Sequence, residues 1–178
     1  MERPRENAFM NIDDLKQRVL TAIDENRETI IQIGETILNH PEMGYKEVKT
    51  AHLIKENFNS LNLEYEDSLA ITGIKANIKG RSSKLKVAVI GEMDAVVCPL
   101  HPKADPSTGA SHSCGHNTQI AAMLGVAFGL VRSKVMKELD GDVAFMAVPA
   151  EEFVELEYRE QLKNNHHIQF FGGKQELI

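Results

Sequence analysis

A chain of 178 residues has room for one domain of ordinary size, and its 42% hydrophobic and 26% charged residues are the mix of a globular protein with a real core. With 20 Lys+Arg against 26 Asp+Glu and a formal net charge of −6, it offers no basic stripe to neutralise phosphates, which speaks against a nucleic-acid binder and against an anionic membrane surface as partner. The longest apolar run, Ile120 to Val131, is too short to span a bilayer, the N-terminal MERPRENAFM lacks the apolar stretch of a secretory signal, and two cysteines, Cys98 and Cys114, make no disulfide scaffold and suit a reducing cytoplasm.

Residues 1–10 read as a loose N-terminal arm. From Asn11 onward Ile12, Leu15, Val19, Ala22, Ile30, Ile33 and Ile37 recur at spacings of three and four, one face of a long helix flawed only at Asn26. Asp13 and Asp14 suit its first turn, and His40-Pro41 ends it, because a residue before proline avoids helical backbone. A second helix is predicted from about Lys46 to Asn59. Short strands follow at Leu63 to Glu66 and Ile71 to Ile78. Lys84 to Ile90 (KLKVAVI) ends continuously apolar, as a buried central strand would. Leu100 to Ser113 is a long proline-containing loop, and loops of that length in a compact domain are usually functional or disordered. A helix with a wide apolar face spans about Gly115 to Lys134, and Asp142 to Val148 (DVAFMAV) is a strand stopped by Pro149. A short helix near Phe153 to Leu162 and a strand at Ile168 to Phe171 complete the chain. Strand, loop, helix, strand is a βαβ unit, so the expected fold is α/β, with a mixed, mostly parallel sheet flanked by helices.

In an open α/β sheet, ligands gather outside the carboxyl ends of the strands. One central strand leads into Gly91-Glu92-Met93-Asp94, the other into Pro149-Ala150-Glu151-Glu152, and the helix between them opens with His112-Ser113-Cys114-Gly115-His116. Three separated segments thus bring acids, a thiol and imidazoles to one sheet edge. Cys114 and His116 flank a freely turning glycine and can converge on one ion, and a thiolate, an imidazole and a carboxylate together suit zinc or a similar divalent transition metal. Adjacent Glu151 and Glu152 are expected to point in different directions, one toward a metal and the other toward a water as general base. Each segment alone is weak evidence: Cys98 reads as a buried small side chain, His101 and His52 as loop and helix-surface residues, and His166-His167 as solvated. The composite is what carries weight.

Together, His40-Pro41-Glu42-Met43-Gly44 with Glu47, Gly91-Glu92-Met93-Asp94-Ala95, His112-Ser113-Cys114-Gly115-His116 and Pro149-Ala150-Glu151-Glu152 resemble the metal-dependent amidohydrolase branch of the metallopeptidase family that includes aminoacylases, carboxypeptidases and auxin-conjugate hydrolases. Asn117, where several members carry aspartate, looks more like the aminobenzoyl-glutamate hydrolases and related dipeptidases. The resemblance implies a zinc-peptidase-like catalytic domain in which Cys114, His116 and Glu152 ligate the metal. Glu151 would then be the general base, Asp94 would orient the site from behind, and His112 would stand just outside the ligands. Glu92 stands where peptidase relatives carry a ligand histidine. The resemblance also implies a divalent cofactor (Zn, Mn or Co, two ions in the full-length enzyme), an acyl-amino-acid or peptide substrate, a cytoplasmic homo-oligomer, and a chain longer than this one. Residues 11–178 are then the N-terminal part of the catalytic domain, without the lid and dimerisation domain. Two other readings are open on the residues alone: an inactive truncated fragment acting as an interaction or oligomerisation module, and a thiol-redox protein using Cys114.

Overall fold

A computed structural model of the chain describes residues 11–177, so the expected arm at 1–10 lies outside the described residues. The elements, in order, are α1 (Ile12–Glu25), α2 (Arg27–Asn39), α3 (Val48–Ser60), β1 (Tyr65–Leu69), β2 (Gly73–Ile78), β3 (Lys86–Glu92), β4 (Val96–Val97), β5 (Ala110–Ser111), α4 (His116–Ser133), a single 3₁₀ turn (Val135–Glu138), β6 (Asp142–Val148), α5 (Leu156–Asn164) and α6 (Gly173–Glu176).

The first helical stretch is two helices, because the Asn26 side-chain amide donates to the Ala22 carbonyl at 2.7 Å and interrupts the ladder. Asn11 caps α1 by accepting from Asp13 N at 3.0 Å. The cap of α3 comes from outside the helix: the Glu42 carboxylate accepts from Lys49 N and Thr50 N, both at 2.9 Å. The long loop carries its own order, a two-residue ladder pairing β4 with β5 antiparallel.

The main sheet has the strand order β1-β2-β6-β3. β3 and β6 pair in parallel through the α4 crossover, whereas β1 with β2 and β2 with β6 pair antiparallel. The sheet is therefore mixed, with less parallel pairing than the βαβ pattern suggested. The connection from β1 to β2 is only a tight turn, and a turn that short permits antiparallel strands alone. β3 is also not the central strand its apolar run suggested. β6 takes that place, and β3 lies at the edge with Val87 51% and Ile90 48% exposed. The expected strand at Ile168 to Phe171 does not form: Gln169 N and Phe170 N donate to the Glu176 carboxylate and the Phe171 carbonyl accepts from Arg159, so the segment has no ladder partner.

α2, α3 and α4 pack on one face of the sheet, and α1 packs in turn on α4. Ile74, Ala76 and Ile78 of β2 stand opposite Ala147, Phe145 and Val143 of β6, and these residues pack with Ile54 and Phe58 of α3, Ile33 and Ile37 of α2, and Ile120, Met123, Leu124 and Ala127 of α4. Phe58 is fully buried, its ring centroid 6.3 Å from that of Phe145 and 6.1 Å from that of Tyr65. Truncating it removes the joint between α3 and the sheet, so Phe58→Ala is expected to cost about 3–5 kcal/mol, read as a lowered urea midpoint.

Candidate metal centre

The carboxyl ends of β3 and β6 and the start of α4 meet around the Asp94 side chain, which has no solvent exposure. Its Oδ1 accepts from Glu151 N at 3.0 Å and its Oδ2 from Glu152 N at 2.9 Å. Its carbonyl oxygen lies 2.9 Å from His116 Nδ1. One buried residue therefore sets the backbone of both glutamates and the orientation of the imidazole. With Nδ1 committed to that carbonyl, Nε2 is the nitrogen directed at the acidic cluster, and an ion bound there would take the place of its proton.

Nε2 of His116 is 2.9 Å from Glu92 Oε2 and 3.9 Å from both Glu151 Oε2 and Glu152 Oε1. Burial opposes a charge on His116, but the hydrogen bonds with Asp94 and Cys114 outweigh it and push its pKa up to about 11. Gly115, at φ +94°, lies between Cys114 and His116 in left-handed backbone, and this turn lets the thiol and the imidazole face the same side. The ligand atoms of Cys114, His116 and Glu152 lie within 4.8 Å of one another, and so do those of Glu92, His116 and Glu151. A thiol, a directed imidazole nitrogen and a carboxylate are the donor chemistry of a zinc-like ion, so the residues present fit such a group.

The two glutamates do not diverge as extended chain would. Ala150 takes φ +50° and the Asp94 carboxylate collects the two following amides, so both side chains approach the same imidazole. His112 is buried with neither ring nitrogen hydrogen-bonded, and it falls in neither donor group. Burial, together with the charge of His116, pulls its pKa down to about 4, so the ring is neutral. Cys98 is half-buried rather than buried, and it and Cys114 are both free thiols. His166 and His167 are exposed and outside both donor groups. Asn117 faces away from the cluster, its amide donating to the Gly34 carbonyl of α2.

Three residues that sequence reasoning gave no role border the site, Glu47 and Arg159 from behind and Lys174 from its open side. Glu47 is fully buried, and its carboxylate accepts from Ala150 N at 2.8 Å and from Thr72 Oγ1 at 2.6 Å. Arg159 is 1% exposed and donates to the carbonyls of Ala150, Phe171 and Glu152. Lys174 pairs with Glu92 and stands 3.4 Å from Glu151. Glu47 lay within a motif that carried the family resemblance and so had a signal. Arg159 and Lys174 stand on short polar helices and had none.

No protein-family profile matches the chain. Single relatives do. It is 32% identical over 145 residues to thermostable carboxypeptidase 2 of Saccharolobus solfataricus, covering 78% of this chain and 36% of that protein. It is 32% identical over 129 residues to N-acetylcysteine deacetylase of Bacillus subtilis, covering 69% and 33%. Its fold superposes with a TM-score of 0.64 on the YXEP protein of Bacillus subtilis, described as a dinuclear metal-binding peptidase of the M20 family, at 29% identity over 74% of this chain and 38% of that one. This chain is homologous to the M20 amidohydrolases and peptidases. It spans about a third of the length of the curated M20 relatives it matches, their N-terminal part.

The buried Glu47 gives this M20 homologue a pH signature. Burial raises its pKa from 4.5 to about 7, outweighing its hydrogen bonds. Between those values the unfolded chain has already lost the proton that the folded chain retains, so stability falls as pH rises from 4.5 and levels off above 7. The contribution is roughly 3 kcal/mol. Glu47→Gln is expected to flatten that slope in urea unfolding measured from pH 4.5 to 8. Parallel curves for the two proteins would remove Glu47 from the account.

Proposed function

We propose that the chain carries the metal centre of a hydrolase acting on amide or peptide C–N bonds, with N-acyl amino acids, aminobenzoyl amino acids or short peptides as substrates. The observation that supports it most is the convergence of Cys114, His116 and Glu152 from two segments onto one point, with His116 Nδ1 tied to Asp94 so that Nε2 is the nitrogen left to ligate once its proton is displaced. A deacetylase and a carboxypeptidase among the relatives support the substrate class.

Cys114, His116 and Glu152 would hold a divalent ion such as Zn, Mn or Co, which when bound polarises a carbonyl and makes a water acidic near neutral pH. Glu151 is the general base in this reading: its carboxylate sits beside the same imidazole, with its backbone fixed by Asp94, and it takes a proton from water and returns it to the leaving amine. Asp94 fixes the geometry and touches no reacting atom. His112, buried and neutral behind the ligands, acts on the site only through its neighbours.

A second reading, association between copies, is supported by the open edge of β3, where Leu85, Val87 and Ile90 are about half exposed. Its measure is the molar mass in solution by light scattering. No helix among the described residues is long and apolar enough to cross a membrane, and the two free thiols agree with a cytoplasmic setting.

Cys114→Ala should lose bound metal, measured by elemental analysis after purification with Mn or Zn. In the longest available form of the protein, Glu151→Gln should keep its metal and lose about 10²–10⁴-fold in turnover of an N-acetyl amino acid. Turnover within twofold of the parent would dismiss Glu151 as base.

A further inference from the structure

The two donor groups of the cleft share one atom. Cys114–His116–Glu152 and Glu92–His116–Glu151 both draw on His116, and with its Nδ1 turned to the Asp94 carbonyl only Nε2 remains, with a single lone pair. Among the described residues, only one ion at a time can have a complete trio of ligands. When that ion sits on Cys114, His116 and Glu152, the carboxylates of Glu92 and Glu151 are left facing one another. Two anions that close repel unless a cation stands between them.

Lys174 stands there. Its Nζ is in contact with Glu92 Oε1 and lies 3.4 Å from Glu151 Oε1. The Glu92 carboxylate, in turn, holds the ammonium charged, with its pKa raised above the ordinary lysine value. The placement is built into the fold. Gly173 abuts the Pro149 carbonyl so closely that a Cβ there would collide with it, and its N–H donates to the Ala150 carbonyl at 3.3 Å. Arg159 holds the Phe171 and Ala150 carbonyls together, and Glu176 gathers the amides of Gln169 and Phe170. The segment bearing Lys174 is thus strapped to the same turn that presents Glu151 and Glu152.

We propose that Lys174 is the second cation of this cleft: its ammonium occupies the position between Glu92 and Glu151 and keeps a second divalent ion out, so that the chain binds one ion and not two. The inference rests on the metal-centre reading above for the site of the first ion.

The test is metal stoichiometry, independent of turnover. Mn²⁺ is titrated by calorimetry into the 178-residue chain and into its Lys174→Met and Lys174→Arg variants, with ion content checked by elemental analysis. Lys174 is about half exposed, so neither variant disturbs the core. The wild type and Lys174→Arg should take one ion per chain, and Lys174→Met should take a second, weaker one. Two ions on the wild type, or the same count on the wild type and Lys174→Met whatever that count is, overturns the proposal. Cys114→Ala separates the two readings. If it keeps its ion while Lys174→Met still gains one, the assignment of the first ion to Cys114 falls and the role of Lys174 stands. If it loses its ion while Lys174→Met gains none, the reverse holds.

Discussion

The buried carboxylate of Asp94 is the constraint on which the candidate centre depends. A carboxylate without solvent must have its lone pairs occupied, and here the occupants are two consecutive backbone amides, those of Glu151 and Glu152. That requirement forces the chain after β6 to curl instead of continuing as a strand, and the curl aims both glutamates at His116. The same residue presents its main-chain oxygen to the imidazole, so the end of β3, the start of α4 and the end of β6 are locked by one side chain and its carbonyl. Such locking by groups that touch the ligands and not the ion is how a metal-binding imidazole acquires a fixed orientation.

Behind this lies a second tier of buried charge. Glu47 and Arg159 are both withdrawn from water, and both bond the backbone of Ala150, Glu47 accepting from its N–H and Arg159 donating to its carbonyl. Ala150 is a non-glycine residue in left-handed backbone, a conformation that costs energy and persists where surroundings over-determine it. Three hydrogen-bonding groups, from the segment before α3, from the segment after β3 and from α5, over-determine it here. Burying Glu47 costs stability at neutral pH, and what that cost secures is the geometry of the turn presenting Glu151 and Glu152.

The helices and β6 were legible because their signals are local: a period of three to four in Ile12 to Ile37 and in α4, and an unbroken apolar run stopped by proline in Asp142 to Val148. The convergence of Cys114, His116 and Glu152 was legible as well, because strand ends of a βαβ unit share an edge. What could not be read depended on neighbours far away in sequence. The apolar run of Lys84 to Ile90 carries no mark saying which of its sides has a partner, so nothing in it distinguishes the edge position β3 takes from a central one. Ile168 to Phe171 has strand-like composition, but its amides go to Glu176 and its last carbonyl to Arg159. Lys174 and Arg159 look like ordinary surface charges until the fold brings them against Glu92 and Ala150.

The joint at Asn26 sets how the molecule comes apart. The backbone ladder passes from α1 to α2 through Asn26, and α1 packs on the body with Leu15 and Ala22 buried, Val19 and Ile23 seated on Gly129, and Arg18 bonded to the Ser133 carbonyl and to Glu138. Ile12 and Leu20 already face solvent. The first helix can therefore peel away without breaking a hydrogen bond inside the second, a partial opening that bares α4 while the strand ends bearing the cluster stay knit together.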